Sequence, residues 1–328
     1  MKVTVIGAGN VGATCADEII KMDLVSELVL VDIKDGIVQG KALDLWQTSS
    51  IMQFDTRVKG VVDDYEATKD SDIIVITSGL PRKPGMSRDD LIAINAQIVK
   101  EVTKKAIVHS PQAKIIVVSN PLDVMTYAAY LAANEVVPKR SSEIFGMAGI
   151  LDTARYKAFI AEALNLSPKS VHAILMGGHG DTMVPLPRYT TVASIPVREL
   201  MDEATLQAII ERTKSGGGEI VKLMGTSAWY APGAAAAQMV EAIIKNSRRI
   251  FPVCASLNGE YGLEDIYLGV PVVLGRNGIE KVIELELLPD EKELLYQSAR
   301  SVKEVMVALD DMNLFEQKFG RLNPIDSK

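Results

Sequence analysis

A histidine surrounded by glycines is the first candidate for proton chemistry. His179 lies in the run GGHGD at residues 177–181, directly after a predicted strand. Because imidazole changes its charge near neutral pH and glycines leave it accessible to a ligand, the run predicts a general acid or base. The other histidines suit structural positions: His109 ends a predicted helix, where the helix dipole favours an imidazolium, and His172 shares an apolar strand face with Ile174. His179 is therefore the predicted catalytic histidine.

Three further segments carry side chains suited to an anionic substrate. Arg82 and Arg88 lie in a loop whose glycines and prolines are typical of a hinged lid. Asn120 ends a predicted strand and precedes a proline, which favours extended geometry at that residue. Asp152 and Arg155 share one face of a predicted helix through their i, i+3 spacing. Each segment alone is compatible with solvated charges, a turn or a surface ion pair, but together they indicate a ligand crevice at the carboxyl edge of a sheet.

A glycine-rich turn at the start of the chain indicates a dinucleotide site. Residues 7–12 read GAGNVG, between a predicted strand and a predicted helix. The three glycines of such a motif allow a tight turn, close approach to a pyrophosphate and close packing of the helix on the sheet, and the helix N-terminus offers N–H groups to the anion. The predicted cofactor contacts here are Gly7, Gly9, Asn10, Val11 and Gly12.

Asp32 distinguishes between two forms of a nicotinamide cofactor. It closes the second apolar run, at the distance from the glycine turn that the motif requires. A carboxylate at this position accepts hydrogen bonds from both ribose hydroxyls and repels a 2′-phosphate. The sequence therefore predicts NAD rather than NADP, with a chance pairing of a glycine turn and an acid as the alternative.

The elements that must position these residues predict an α/β fold that begins with a doubly wound parallel sheet. Apolar runs that are hydrophobic on both faces, as buried parallel strands are, alternate with helical patterns. The predicted strands of this half cover residues 3–6, 28–32, 57–62, 72–77 and 114–119. A helix between the last two is predicted to bury a stripe of apolar residues: Leu91, Ile94, Ile98, Val102 and Ala106.

The second half of the chain predicts a mixed α+β arrangement. Helices are predicted at 151–165, 202–224, 233–246 and after Pro289, with strands between them at 171–176, 184–195, 250–257, 270–274 and 281–287. The last helix carries one apolar stripe: Leu295, Ala299, Val302, Met306 and Leu309. Three consecutive glycines at 216–218 predict a kink. The expected organisation is a Rossmann domain at 1–145 that binds NAD, followed by a substrate and catalytic domain at 146–328.

Composition restricts the class of protein. With 328 residues, 48% hydrophobic and 23% charged, the chain suits two ordinary globular domains. A net charge of −7 and the lack of a Lys/Arg stripe argue against a nucleic-acid partner. The two cysteines, Cys15 and Cys254, lack the spacing of a metal site or a disulfide framework and are expected to be core thiols, so no metal is predicted. The lack of a charged leader and of an apolar run of about 18 residues favours a cytoplasmic protein with no membrane segment.

Five ordered motifs carry a resemblance to a known family. GAGNVG with Asp32, then LPRKPGMSR, VSNP, MAGILDTAR and MGGHGD closely resemble the NAD-dependent malate dehydrogenases of the lactate-dehydrogenase-like type, over nearly the whole chain. The resemblance implies reversible oxidation of (S)-malate to oxaloacetate, a step of the citric acid cycle, by a homodimer or homotetramer.

The resemblance also implies a role for each candidate residue. His179 would be the acid and base, Asp152 its orienting carboxylate, and Arg155 the clamp on the carboxylate beside the reacting carbon. Arg88 would polarise the carbonyl from the lid, and Asn120 would contact the substrate. Further cofactor contacts are implied for the following residues: Asn95, Val118 and Asn120.

Arg82 is the residue that selects the substrate. Lactate dehydrogenases of the same fold typically carry glutamine at this position, whereas the malate dehydrogenases carry arginine. A guanidinium forms a bidentate pair with the distal carboxylate of oxaloacetate, whereas pyruvate would leave the desolvated cation unpaired, at a cost of several kcal/mol. The small-molecule substrate is therefore predicted to be malate or oxaloacetate.

Three other functions stay open at this point. A lactate-type or other 2-hydroxyacid dehydrogenase differs mainly at Arg82. An NAD-dependent glycosidase would need a metal held by cysteine and histidine, and neither cysteine has a suitable neighbour in the sequence. An NAD sensor without catalysis would not need His179, Asp152 and three arginines together.

Overall fold

Parallel strands form the centre of the first half, as the two-sided apolar runs predict. The structure, a computed structural model, describes residues 1–81 and 87–318. The strands of this half are β1 (Lys2–Ile6), β2 (Glu27–Asp32), β3 (Arg57–Val62), β4 (Ile73–Ile76), β5 (Lys114–Val117) and β6 (Ile144–Gly146). Its helices are α1 (Asn10–Lys21), α2 (Ile37–Gln47), α3 (Ser49–Met52), α4 (Arg88–His109) and α5 (Leu122–Asn134).

The order of these strands places the candidate residues at one edge. The strands lie side by side as β3-β2-β1-β4-β5-β6, all parallel, which is the doubly wound order. The order reverses between β1 and β4, and ligands of such sheets bind outside the carboxyl ends at this switch point. The glycine turn after β1, the loop after β4 and the segment after β5 all begin at this edge.

The second half extends the same sheet. Its helices are α6 (Gly149–Leu164), α7 (Val197–Leu200), α8 (Glu203–Met224), α9 (Tyr230–Ile244) and α10 (Pro289–Asp311). Its strands are β7 (Val171–His172), β8 (Leu175–Met176), β9 (Val184–Pro185), β10 (Thr191–Val192), β11 (Ile195–Pro196), β12 (Arg249–Asn258), β13 (Glu264–Gly275) and β14 (Gly278–Val282). Antiparallel β12, β13 and β14 join β6 where Cys254 pairs with Gly146, so in the described residues one sheet of nine strands crosses both halves.

The prediction that α4 buries this apolar stripe is wrong. Of its five members only Ala106 is buried, and Ile94 is exposed. The helix instead buries an adjacent face that includes Ile92 and Val99. Ile98 and Val102 line a cleft beside β1 and β2. An apolar stripe on a helix can serve a ligand as well as a core, and periodicity does not distinguish the two.

The helices of the second half agree with the sequence pattern, with one exception. All five members of the α10 stripe are buried, as predicted. The kink predicted at residues 216–218 is wrong, because α8 continues as one helix through the three glycines. The predicted strand at 171–176 is divided into β7 and β8, and β14 ends at Val282 rather than at residue 287.

The apolar core has two parts. The main cluster packs around the nine-stranded sheet and includes Cys15 and Cys254, both buried free thiols, as predicted. A smaller cluster lies between α6, α8 and the short strands, with Tyr156 and Leu206 fully buried. Among residues 1–81 and 87–318, no helix is both long and apolar enough to cross a membrane. No group of three or more His, Cys, Asp or Glu side chains in the same ranges could hold a metal ion.

Candidate active site

The glycine turn between β1 and α1 is built so tightly that two of its residues must be glycine. Gly7 has φ +104°, and a Cβ there would lie 2.7 Å from Thr77 Oγ1. A Cβ at Gly12 would lie 1.8 Å from the Gly7 carbonyl oxygen. Gly9, by contrast, has open space beside it, and no side chain caps the N-terminus of α1. The first N–H groups of α1, beginning at Asn10, are thus free of a side-chain cap where a pyrophosphate would approach.

Asp32 is fixed to this turn at the end of β2. Its Oδ2 accepts the Ala8 N–H at 2.6 Å and its Oδ1 accepts the Lys34 N–H at 3.1 Å, while Lys41 Nζ donates to the Ala8 carbonyl at 2.7 Å. A cleft of about 370 Å³ runs past Asp32 and is lined by Gly7, Gly9, Tyr65, Ile98 and Val102. An uncapped helix start, an open Gly9 and a carboxylate at one cleft fit a dinucleotide without a 2′-phosphate.

The predicted catalytic pair is formed in the structure. His179 Nδ1 lies 2.8 Å from Asp152 Oδ2, although the residues are 27 positions apart. Asp152, on α6, is only 2% exposed, whereas the imidazole of His179 is 17% exposed. Because Nδ1 is held by the carboxylate, Nε2 is the nitrogen left to exchange a proton with a ligand.

The charges around His179 favour its protonated form. Burial by itself lowers the pKa of His179, but the carboxylates of Asp152 and Asp123 outweigh burial and raise the pKa above its ordinary 6.5. Arg155 opposes this change. The two carboxylates therefore favour the imidazolium, which is the form that a proton donor to a carbonyl oxygen requires.

Arg155 lies on the other side of the same carboxylate. Its Nη1 is 3.6 Å from Asp152 Oδ1 and donates to the Thr213 carbonyl at 3.5 Å. One of the three consecutive glycines of α8 makes room for this side chain. A Cβ at Gly216 would lie 2.3 Å from Arg155 Cδ, whereas a Cβ at Gly217 would meet nothing within 4 Å. Gly216 therefore leaves space for the arginine side chain.

Asn95 connects the loops after β4 and β5. Its side chain is buried, with Oδ1 accepting the Leu80 N–H at 2.8 Å and Nδ2 donating to the carbonyls of Leu80 at 3.1 Å and Asn120 at 2.7 Å. Asn120 is exposed at the carboxyl edge and precedes a cis bond to Pro121. Val118 is 7% exposed in the same segment. The structure thus brings Asn95 and Asn120 together, and their contacts with a ligand stay predictions.

Of the two arginines predicted to lie in the lid, the structure describes Arg88. Arg88 is exposed and is the first residue of α4, whose start is capped by reciprocal hydrogen bonds between Ser87 and Asp90. Its delivery to the substrate stays a prediction. Arg82 lies outside the described residues.

Sequence reasoning did not find the roles of Asp123 and Ser298 beside the histidine loop or of Gly216 beside Arg155, and it misplaced one histidine. Asp123 accepts the His179 N–H at 2.9 Å, and Ser298 accepts the Gly178 N–H at 2.8 Å. Asp123 had a usable signal, since it follows Asn120 by three positions in the first turn of a helix. Ser298 and Gly216 had none. His172 is exposed on β7, so its predicted core position is wrong, because the alternation there continues for two residues only.

Two models of known protein families match the two halves of the chain. A family model described as lactate/malate dehydrogenase, NAD binding domain, matches residues 1–142. A second, described as lactate/malate dehydrogenase, alpha/beta C-terminal domain, matches residues 150–311.

Individual relatives are similar over nearly their whole length. The malate dehydrogenase of Cytophaga hutchinsonii is 62% identical over 312 residues, which are 95% of this chain and 99% of that protein. The solved malate dehydrogenase of Salinibacter ruber superposes with a TM-score of 0.91 at 56% identity, covering 95% of this chain and 99% of that one. A Cryptosporidium parvum lactate dehydrogenase complexed with lactic acid and nicotinamide adenine dinucleotide has a TM-score of 0.89 at 34% identity, covering 94% and 98%.

Proposed function

Because the chain belongs to the lactate/malate dehydrogenase family and is an NAD-dependent malate dehydrogenase, we propose that His179, Asp152 and Arg155 carry its chemical step. The observation that supports this assignment is the single buried carboxylate of Asp152, which holds the imidazole through one oxygen and faces the guanidinium with the other. A proton donor and a cation for the substrate are thereby held at a fixed separation.

The proposed roles follow from charge. NAD supplies hydride exchange with the carbinol carbon when it is bound, and the residues of the glycine turn together with Asp32 would hold it. In oxaloacetate reduction, protonated His179 gives the proton from Nε2 to the carbonyl oxygen, and Asp152 stabilises the cation beforehand. Arg88 neutralises the oxygen as it becomes negative. Arg155 pairs with the carboxylate beside the reacting carbon.

The substrate is proposed to be held at both ends. Arg155 would bind one carboxylate and Arg82 the other, with Asn120 contacting the group between them. The Cryptosporidium lactate dehydrogenase has almost the same fold, so fold alone does not select a substrate. The identities to malate dehydrogenases and the arginine at position 82 favour the four-carbon dianion over the lactate-type alternative.

Initial velocities with two keto acids and two cofactors test the function. We expect oxaloacetate with NADH to be reduced with a kcat/KM at least about 10³-fold above that for pyruvate, because a site built for a polar group rejects the analogue without it. NADPH should be the poorer cofactor because Asp32 repels its phosphate. Equal use of both keto acids would favour the broader 2-hydroxyacid dehydrogenase.

Gly216→Ala is expected to weaken substrate binding without unfolding the protein. The added Cβ must displace Arg155 at Cδ, which moves the guanidinium rather than the backbone. A displacement of about 1 Å can cost roughly 10- to 100-fold in kcat/KM. Steady-state kinetics with oxaloacetate, together with NADH titration, should show a raised KM and unchanged NADH affinity.

Gly217→Ala is the matched control for that variant. Its Cβ meets open space, so kcat/KM should stay at the wild-type value while the helix gains roughly 0.5–1 kcal/mol of stability. Equal kinetics in the two variants would remove Gly216 from the positioning of Arg155.

Assembly, domain division and location complete the proposal. Apolar side chains exposed on α2, α3 and α8, namely Leu43, Trp46, Ile51, Met52 and Leu223, support a homodimer or homotetramer, which sedimentation would report as a multiple of the 35.5 kDa chain. The division into 1–145 and 146–328 is supported by the two family models, because the first ends at residue 142 and the second begins at residue 150.

A cytoplasmic location is supported by the two free thiols.

A further inference from the structure

We infer that Asp123 is a positioning residue for the catalytic histidine, fixing the backbone of His179 and placing a second negative charge beside its imidazole. This inference rests on the proposed role of His179. Neither the sequence motifs nor the family comparison assigns Asp123 a part in the reaction.

Direct contacts join Asp123 to the histidine loop. Asp123 is 8% exposed as a whole residue, and its Oδ2 accepts the His179 N–H at 2.9 Å. A Cβ at Gly178 would lie 3.4 Å from the same oxygen, so the loop packs directly on the carboxylate. A backbone hydrogen bond to a charged, buried acceptor is stronger than one to a neutral group, and it is costly to lose.

Several neighbours of Asp123 stabilise its ionised form against the effect of burial. It lies in the first turn of α5, where the partial positive charge of the helix N-terminus stabilises an anion. Burial raises the pKa of Asp123 above its ordinary value, although the His179 N–H, the imidazole and the Cys254 thiol act in the opposite direction. Burial, followed by the negative charge of Asp123, raises the pKa of the neighbouring Cys254 thiol, so this neighbour stays neutral.

The position of Asp123 in the chain connects two parts of the site. It follows Asn120 by three residues, and the Asn120 carbonyl is held by Asn95. One short segment after β5 therefore carries both the amide predicted to contact the substrate and the acid that anchors the proton donor. The distance between them is set by the first turn of α5.

A purely structural anchor is the alternative, and Ser298 provides its comparison. Ser298 on α10 accepts the N–H of Gly178 at 2.8 Å, one residue before His179, and has no charge. Among the described residues, the charged groups that act on the imidazole of His179 are Asp152 and Arg155 from α6 and Asp123 from α5. Cys254 on β12 and Ser298 on α10 are neutral, and Asp181 of the loop itself is exposed. Of the two side chains that anchor the backbone of this loop, Asp123 and Ser298, only Asp123 also contributes a charge.

The test compares Asp123→Asn with Ser298→Ala in the full-length enzyme. Asparagine keeps an oxygen for the His179 N–H and removes the charge, whereas alanine at 298 removes an anchor and no charge. The readout is the pH profile of kcat/KM for oxaloacetate reduction with NADH. Reduction needs the imidazolium, so the rate declines as pH rises through the pKa of His179.

We expect the declining limb of Asp123→Asn to move to lower pH by about one unit, the size of effect that one nearby charge produces. Ser298→Ala should lower kcat/KM by one constant factor across the pH range and leave the pH of the declining limb unchanged. An unmoved limb in Asp123→Asn, or an equal movement in Ser298→Ala, would overturn the inference. Since wild-type activity is measured in the same series, its absence would instead overturn the proposed function.

A second variant keeps the inference testable if Asp123→Asn does not fold. Asp123→Glu retains the charge and lengthens the side chain by one methylene, which displaces the His179 backbone. We expect kcat to fall at least about tenfold with unchanged NADH affinity and a limb near that of the wild type. Wild-type kcat in Asp123→Glu would contradict a positioning role.

Discussion

Replacing His179 by asparagine is expected to lower kcat for oxaloacetate reduction by about 10²- to 10⁴-fold, the usual contribution of a positioned general acid. Asparagine is similar in size and can still donate to Asp152, so the loop should keep its backbone hydrogen bonds to Asp123 and Ser298. The cleft proposed for the cofactor is lined by the glycine turn, the end of β2, the start of the loop after β4 and one face of α4, and His179 is not among its described lining residues. NADH affinity, measured by fluorescence titration, should therefore be unchanged.

His172→Asn is the matched control for the histidine variant. His172 is exposed on β7 in the same half of the chain, so its replacement should leave kcat within a factor of two. Turnover of His179→Asn within a few-fold of the wild type would remove His179 from the chemical step. Loss of NADH binding in that variant would instead indicate that the replacement had disturbed the fold.

Replacing Arg82 by glutamine is expected to reverse much of the discrimination between the two keto acids. Removing one partner of a buried charge pair costs about 2–5 kcal/mol, so kcat/KM for oxaloacetate should fall by roughly 30- to several thousand-fold. Pyruvate has no distal carboxylate, so its use should improve because no desolvated cation is left unpaired. The ratio of the two kcat/KM values, measured with NADH, is the readout.

Lys83→Gln controls for the loss of a charge from the same segment. Because the guanidinium of Arg82 alone is proposed to pair with the distal carboxylate, Lys83→Gln should retain the wild-type preference to within a few-fold. An unchanged preference in Arg82→Gln would mean that another residue recognises the second carboxylate. Equal effects of the two variants would mean that the general charge of the segment, rather than a specific pair, attracts the dianion.

Local constraints were readable in the sequence because they act within a few residues. The turn at Gly7 needs a positive φ, and Gly12 touches the Gly7 carbonyl, so the sterics of six consecutive residues define the motif. The apolar runs that form β4 and β5 are buried on both faces of the sheet, as strands inside a parallel sheet are in general. A histidine among glycines is likewise recognisable without its partners.

The same local patterns do not determine what an apolar or small residue faces. Ile98 and Val102 have the spacing of a core stripe yet line the cleft proposed for the cofactor. Gly216 is a residue type that disfavours helix, yet it lies inside a continuous helix, where the Arg155 side chain occupies the space that a Cβ would need. In both cases the residue type and its spacing are local properties, whereas what the side chain faces depends on groups that are distant in the sequence.

Only the tertiary structure decided how the proposed proton donor, His179, is held. His179 meets Asp152 across 27 positions, Asp123 across 56, and its neighbour Gly178 meets Ser298 across 120. No periodicity or propensity relates residues so far apart, because those signals arise from contacts within one or two turns of the backbone. Chain topology brings the start of α5, the face of α6 and the middle of α10 against one loop. The charge on the imidazole depends on that convergence, since electrostatic energies follow distance in space and burial rather than separation in sequence.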